Sequence, residues 1–134
     1  MAADNFTATL SIQYTPPGSP ANSGVASFAS GGTYQAGQAG TIDVTSAATI
    51  GEVFPIPFGS VAAAKMLIVR NGLSAEVGVR LNGAGSNTFN VPPGGEFAYI
   101  VPTAPLAVPL TSVSLVTTAV PVSTERAIFA IFGD

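Results

Sequence analysis

Lys65-Met66-Leu67-Ile68-Val69-Arg70, then Asn71-Gly72, then Ala75-Glu76-Val77-Gly78-Val79-Arg80-Leu81 and Asn82-Gly83 form the stretch that decides the fold. Ala75, Val77, Val79 and Leu81 alternate with Glu76, Gly78, Arg80 and Asn82. That period of two gives an extended chain one apolar and one polar face, whereas a helix needs a period near 3.6. The two Asn-Gly pairs suit the positive φ angles of tight turns. The stretch therefore predicts strand, hairpin turn, strand, turn.

The pattern extends outward in both directions. Downstream, Asn87 to Val91 leads to Pro92-Pro93-Gly94-Gly95, a strong break. Glu96 to Val101 alternates again, and Pro102, Pro105 and Pro109 punctuate an extended connector. Leu110 to Thr118 and Arg126 to Phe132 complete the C-terminal half. The last run is apolar on both faces, which predicts a central strand or one covered by a partner. Upstream, Glu52 to Phe58 holds two prolines, so it belongs at a sheet edge or in a loop. Ser60 to Met66 has alanine-rich helix propensity but is too short to matter alone.

The first 40 residues are looser. Phe6, Ala8, Leu10 and Ile12 alternate with polar residues as one strand, and Thr15 to Pro20 stops it. Val25 to Phe28 reads as a short strand, Gly31 to Gly40 as a flexible stretch, and Thr41 to Thr45 as a strand. About nine short strands with turns between them indicate an all-β fold, an antiparallel jelly-roll-like β-sandwich or a small barrel. Residues 1–134 form a single domain, with 1–40 including an extended N-terminal arm.

Composition narrows the function. Only 4 basic and 7 acidic residues occur in 134, with no histidine and no cysteine, although 47% of the chain is hydrophobic. Four scattered basic residues make no phosphate-neutralising patch, so nucleic acid is not an expected partner. No run of 18 apolar residues offers a spanning helix, and Met1 to Thr9 lacks the basic and apolar regions of a signal peptide. A soluble intracellular product is expected. Mean hydropathy is +0.49, which predicts that other subunits cover part of the surface.

Chemistry has few residues to work with. Histidine-based triads and Cys/His zinc sites are impossible. Glu52, Glu76 and Glu96 are the carboxylates from which a glycosidase pair might be drawn, but each sits at a strand start or polar face, where a solvated carboxylate is the simpler reading. No acidic calcium loop and no phosphate-binding glycine motif occurs. Tyr14, Tyr34 and Tyr99 are candidates for stacking on sugars. Neither a catalytic residue, a metal site nor a cofactor is expected. Arg70 and Arg80 are placed on neighbouring strands, within reach of Glu76 and Glu96.

Phe58-Gly59-Ser60, Leu67-Ile68-Val69-Arg70-Asn71, Val79-Arg80-Leu81-Asn82-Gly83, Pro93-Gly94-Gly95 and Ile131-Phe132-Gly133-Asp134 carry a resemblance spanning about residues 55–134. The chain resembles small β-sandwich virion proteins of tailed double-stranded DNA bacteriophages, most of all capsid decoration (cement) proteins. That resemblance implies a non-enzymatic protein on the capsid exterior, with the major capsid protein and copies of itself as partners, often as a homotrimer. The alternative is a tail, baseplate or fibre-associated sandwich that binds a receptor or carbohydrate. Interface candidates are Phe6, Leu10, Ile12 and Tyr14 on the first strand, Arg70 and Arg80, and Phe129 and Ile131 on the last strand.

Overall fold

A computed structural model describes residues 4–14, 24–101 and 109–134. The breaks expected at Thr15 to Pro20 and at Pro102 and Pro105 lie outside those residues. The described chain is all β. It comprises β1 (Asp4–Tyr14), β2 (Gly24–Tyr34), β3 (Ala36–Val44), β4 (Val53–Pro55), β5 (Ala64–Gly72), β6 (Val77–Leu81), β7 (Phe89–Val91), β8 (Glu96–Ile100), β9 (Val113–Thr117) and β10 (Glu125–Gly133).

β3 to β10 make two separate antiparallel sheets, ordered β3-β10-β5-β8 and β4-β9-β6-β7. This is a sandwich rather than a barrel, and its strand order is that of the jelly roll. The core fills the space between the sheets. Leu67, Val69, Phe129 and Ile131 from one meet Val79, Val91, Val113 and Leu115 from the other. Phe89 on β7 and Phe97 on β8 close one side of the sandwich, their ring centroids 4.6 Å apart. Of the two readings its apolar sequence left open, β10 takes the central one, flanked by β3 and β5. The proline-bearing β4 lies at a sheet edge, as Pro55 and Pro57 dictate.

Asn71-Gly72 is not a hairpin turn. β5 and β6 belong to opposite sheets, so the chain crosses between them over residues 73–76. Asn71 and Gly72 are the last residues of β5. Asn71 is buried; its Nδ2 donates to the carbonyls of Ala75 (2.9 Å) and Val91 (3.0 Å), and its Oδ1 accepts from the Leu73 N–H (2.9 Å). Its backbone also bonds Gly94 and Gly95. One side chain thereby ties the β5–β6 crossover to the β7–β8 crossover. Gly72 is needed for packing, since a Cβ there would run into the Arg126 carbonyl of β10.

Asn82-Gly83 does turn the chain, with φ of 50° and 73°. Ser60 to Met66 forms no helix; Ala64 onward joins β5. The glycine-rich segment expected to be flexible is instead ordered into the end of β2 and the start of β3. β1 and β2 form a separate hairpin, paired from Asp4↔Tyr34 to Tyr14↔Gly24. Within the first 40 residues, Ala36 to Gly40 pair with β10 in the sandwich, and the hairpin strand β2 ends before them at Tyr34.

Candidate interaction surface

The outer face of the β3-β10-β5-β8 sheet divides into two zones. At the end of the sheet nearest the hairpin, Met66 pairs with Ile100 and Ile68 with Ala98 across β5 and β8, and Phe132 lies opposite Met66 on β10. Tyr34 meets Phe132 edge-on at 4.8 Å, and Gly37 leaves room for that ring. Met66 is only 6% exposed although it lies outside the inter-sheet cluster. Thr7 and Thr9 of β1 line, with Met66, Ile68, Glu96, Ala98 and Ile100, a cleft of about 360 Å³. β1 therefore stands over this apolar zone.

The other zone is charged. The Arg126 Nε donates to Asp43 at 2.9 Å, and Arg70 lies 4.0 Å from Glu96. Ile128, opposite Arg70, is 54% exposed between these pairs. Exposed pairs of this kind typically contribute about 0 to 1 kcal/mol each, so they shape the surface more than they hold the fold.

Of the residues expected at an interface, Phe6, Leu10, Ile12 and Tyr14 fall on β1, opposite Gly32, Phe28, Ala26 and Gly24. Arg70 lies on the exposed outer face beside Glu96, as expected. Arg80 does not join them, because β6 is in the other sheet; its Nε donates to Asn87 (3.3 Å). Phe129 (3% exposed) and Ile131 (0%) point into the chain's own core and have no surface to offer a partner. Strand alternation gives the outward positions of β10 to Ile128, Ala130 and Phe132. Pairing β10 with β3 and β5 fixes this choice, and an apolar run on both faces does not reveal it.

The three glutamates are also dispersed. Glu52 accepts from the Thr49 N–H (2.8 Å) and Glu76 from Asn90 Nδ2 (2.7 Å), while Glu96 faces Arg70. Glu125 accepts from the Ser74 N–H (2.8 Å), and Lys65 reaches Asp134 at 2.7 Å. Every charged side chain from Asp43 onward is thus engaged within the chain. Among the described residues no cluster of acidic groups is arranged to hold a metal ion, and no helix is long and apolar enough to cross a membrane.

Sequence reasoning missed a second apolar surface. Ile50 and Val53 in the 45–53 segment, and Val120 and Val122 in the 118–124 segment, are all exposed. The first of these segments is tied to the end of β9 by the Gly51 N–H bond to Thr117 O and the Thr117 Oγ1 bond to Thr49 O. Isolated apolar residues in Thr- and Ala-rich segments carry no periodic signal, so alternation does not mark them.

The fold and surface define an antiparallel jelly-roll sandwich with an appended hairpin. No family model matches the sequence, and no curated protein or solved structure matches it significantly.

Proposed function

We propose that the chain is a structural virion protein: a decoration protein that binds the exterior of a tailed-bacteriophage head, acting with the major capsid protein and with copies of itself as a homotrimer. The observation that carries this reading is the engagement of every charged side chain from Asp43 to Asp134 in internal staples, beside outer surfaces rich in apolar residues. Charges used in this way hold loops and strands and do not converge on a reacting atom. The surface left over desolvates at low cost against a neighbour. Jelly-roll sandwiches serve widely in viral shells and also in lectins and cupins. The resemblance of residues 55–134 to decoration proteins selects the first of these.

Such a protein gains avidity from many symmetric copies and stabilises a shell by binding the assembled lattice. Immunogold labelling of phage particles from the source tests the reading. Label spread over heads, with heads rupturing at lower temperature when the protein is absent, is the expected result. Label confined to tails or fibres transfers the chain to the tail-associated class, and unlabelled particles remove the virion reading.

A further inference from the structure

Asn-Gly is a reactive dipeptide as well as a turn former. The side-chain amide carbon lies close along the chain to the next backbone nitrogen, and glycine adds no Cβ to hinder their approach. The chain holds two such pairs, Asn71-Gly72 and Asn82-Gly83, and the fold treats them oppositely. Asn71 is 1% exposed, and its amide is held by Ala75, Val91 and Leu73. Gly72 is registered against Arg126 in the β5–β10 ladder. Reaction at Asn71 therefore requires the end of β5 to open.

Asn82 and Gly83 are exposed in a turn closed by the Ala84 N–H bond to Leu81 O (3.1 Å). Among the described residues the Gly83 N–H has no hydrogen-bond partner, so it can give its proton to solvent without breaking a bond. The Asn82 Oδ1 accepts from the Thr111 N–H (2.9 Å), the Thr111 Oγ1 (3.3 Å) and the Ser112 N–H (3.4 Å). Donors gathered on one carbonyl oxygen draw electrons from Cγ. They also stabilise the negative charge that a nucleophile's addition places on that oxygen, as an oxyanion hole does. The Nδ2 donates to Pro109 O (3.0 Å).

We propose that Asn82 is a site of spontaneous deamidation, a slow covalent clock that releases the segment at Pro109. The deprotonated Gly83 nitrogen bonds to Asn82 Cγ, the Cγ–Nδ2 bond breaks, and the amide leaves as ammonia after taking a proton from water. The product is a cyclic imide. Water then opens the ring: cleavage at Cγ gives aspartate, and cleavage at the backbone carbonyl gives isoaspartate. The net change is amide plus water to carboxylate plus ammonium, with no oxidation or reduction. A carboxylate only accepts hydrogen bonds. It keeps the Thr111 and Ser112 donors but turns lone pairs toward Pro109 O, where Asn82 gave a hydrogen. Leu110, the next residue, is bridged to Ala64, so the bond lost is the one on the far side of that bridge from β9. The inference is independent of the virion reading, because it needs no partner.

For the test, the full chain is held folded in mildly alkaline buffer and sampled over several weeks. Trypsin cleaves after Arg70 and Arg80, so Asn71 and Asn82 fall in separate peptides, whose fragment masses locate each conversion. Labelling by isoaspartyl methyltransferase detects the isoaspartate product. Conversion at Asn82 should lead that at Asn71 by at least ~10-fold, and Gly83→Ala, which sets a Cβ beside the attacking nitrogen, should slow it. Asn71 in the same sample reports folding, since a chain that unfolds converts there too. Asn82→Asp, which supplies one product directly, should lower the urea midpoint. Equal conversion at the two sites overturns the proposal. So does an Asn82 that stays intact in the folded chain while the urea-unfolded chain converts. An Asn82→Asp chain as stable as its parent overturns the release at Pro109.

Discussion

Asn71-Gly72 and Asn82-Gly83 are the same dipeptide 11 residues apart, yet they perform different work. At Asn82-Gly83 both residues have positive φ and the pair turns the chain at the surface. The Asn82 side chain also reaches across, donating Nδ2 to Pro109 O (3.0 Å) and accepting the Thr111 N–H at Oδ1 (2.9 Å). At Asn71-Gly72 the chain stays extended, the asparagine is buried, and the glycine admits the backbone of β10. Local sequence sets a preference for a turn; the assignment of consecutive strands to opposite sheets overrides it. In a jelly roll the second strand of an apparent hairpin leaves for the other layer, and what the crossover then needs is a buried donor and acceptor.

The sharpest way to break this contrast is to remove the two asparagines in turn. Asn71→Ala strips partners from two carbonyls and one N–H in the interior, each left unsatisfied at about 1 to 3 kcal/mol. We expect a loss of at least ~3 kcal/mol, read as a lower urea midpoint with unchanged slope. Asn82→Ala exposes its partners to water instead, so a loss of about 1 kcal/mol is expected. Equal losses would show that burial is not what separates the sites.

The glycines give a smaller contrast of the same kind. Alanine at Gly72 meets the Arg126 carbonyl and forces β5 and β10 apart, a cost of about 1 to 3 kcal/mol typical of overpacking. Alanine at Gly83 meets open space and suffers only from its φ of 73°, a cost of about 1 to 2 kcal/mol. Thermal unfolding of the two variants should rank Gly72→Ala below Gly83→Ala.

These residues also show what the sequence could disclose. The two-sided apolar run at Arg126 to Phe132 fitted a central strand because both its faces need covering, and Pro55 and Pro57 marked an edge because proline brings no N–H to a second neighbour. Asn82-Gly83 was legible as a turn from the ease with which that dipeptide takes positive φ. Asn71-Gly72 was not, since its role depends on Ala75, Val91 and Arg126, the last two distant in sequence. Arg70 lies exposed beside Glu96, whereas telling the buried Phe129 and Ile131 from the outward Ile128 and Phe132 required the register of three strands.

Arg126 tests a weaker coupling at the Asn71 end. Its side chain bonds Asp43 on the exposed sheet face while its carbonyl abuts Gly72. Arg126→Ala removes only the exposed ion pair, so a loss below about 1 kcal/mol is expected, shrinking further at high salt. A larger, salt-independent loss would mean that the guanidinium also positions the β10 backbone against Gly72.

The smallest effect belongs to pH, and it falls at the Asn82 end. Tyr99 lies near the end of β8, opposite Leu67, and burial raises its phenol pKa above the ordinary 10.0. A phenol with a raised folded pKa holds its proton more tightly in the folded chain than in the unfolded one. Its contribution is therefore complete below pH 10.0 and is lost as pH rises through the folded value. Denaturation measured from pH 8 to 11 should show a shallow decline beginning near 10 that Tyr99→Phe removes. The Asn71 lock contains no titratable group, so the difference in stability between the native chain and Asn71→Ala should stay constant across the same range. If that difference changes with pH, the buried lock and the Tyr99 end of the sandwich are coupled through β8, and the two Asn-Gly sites are not independent.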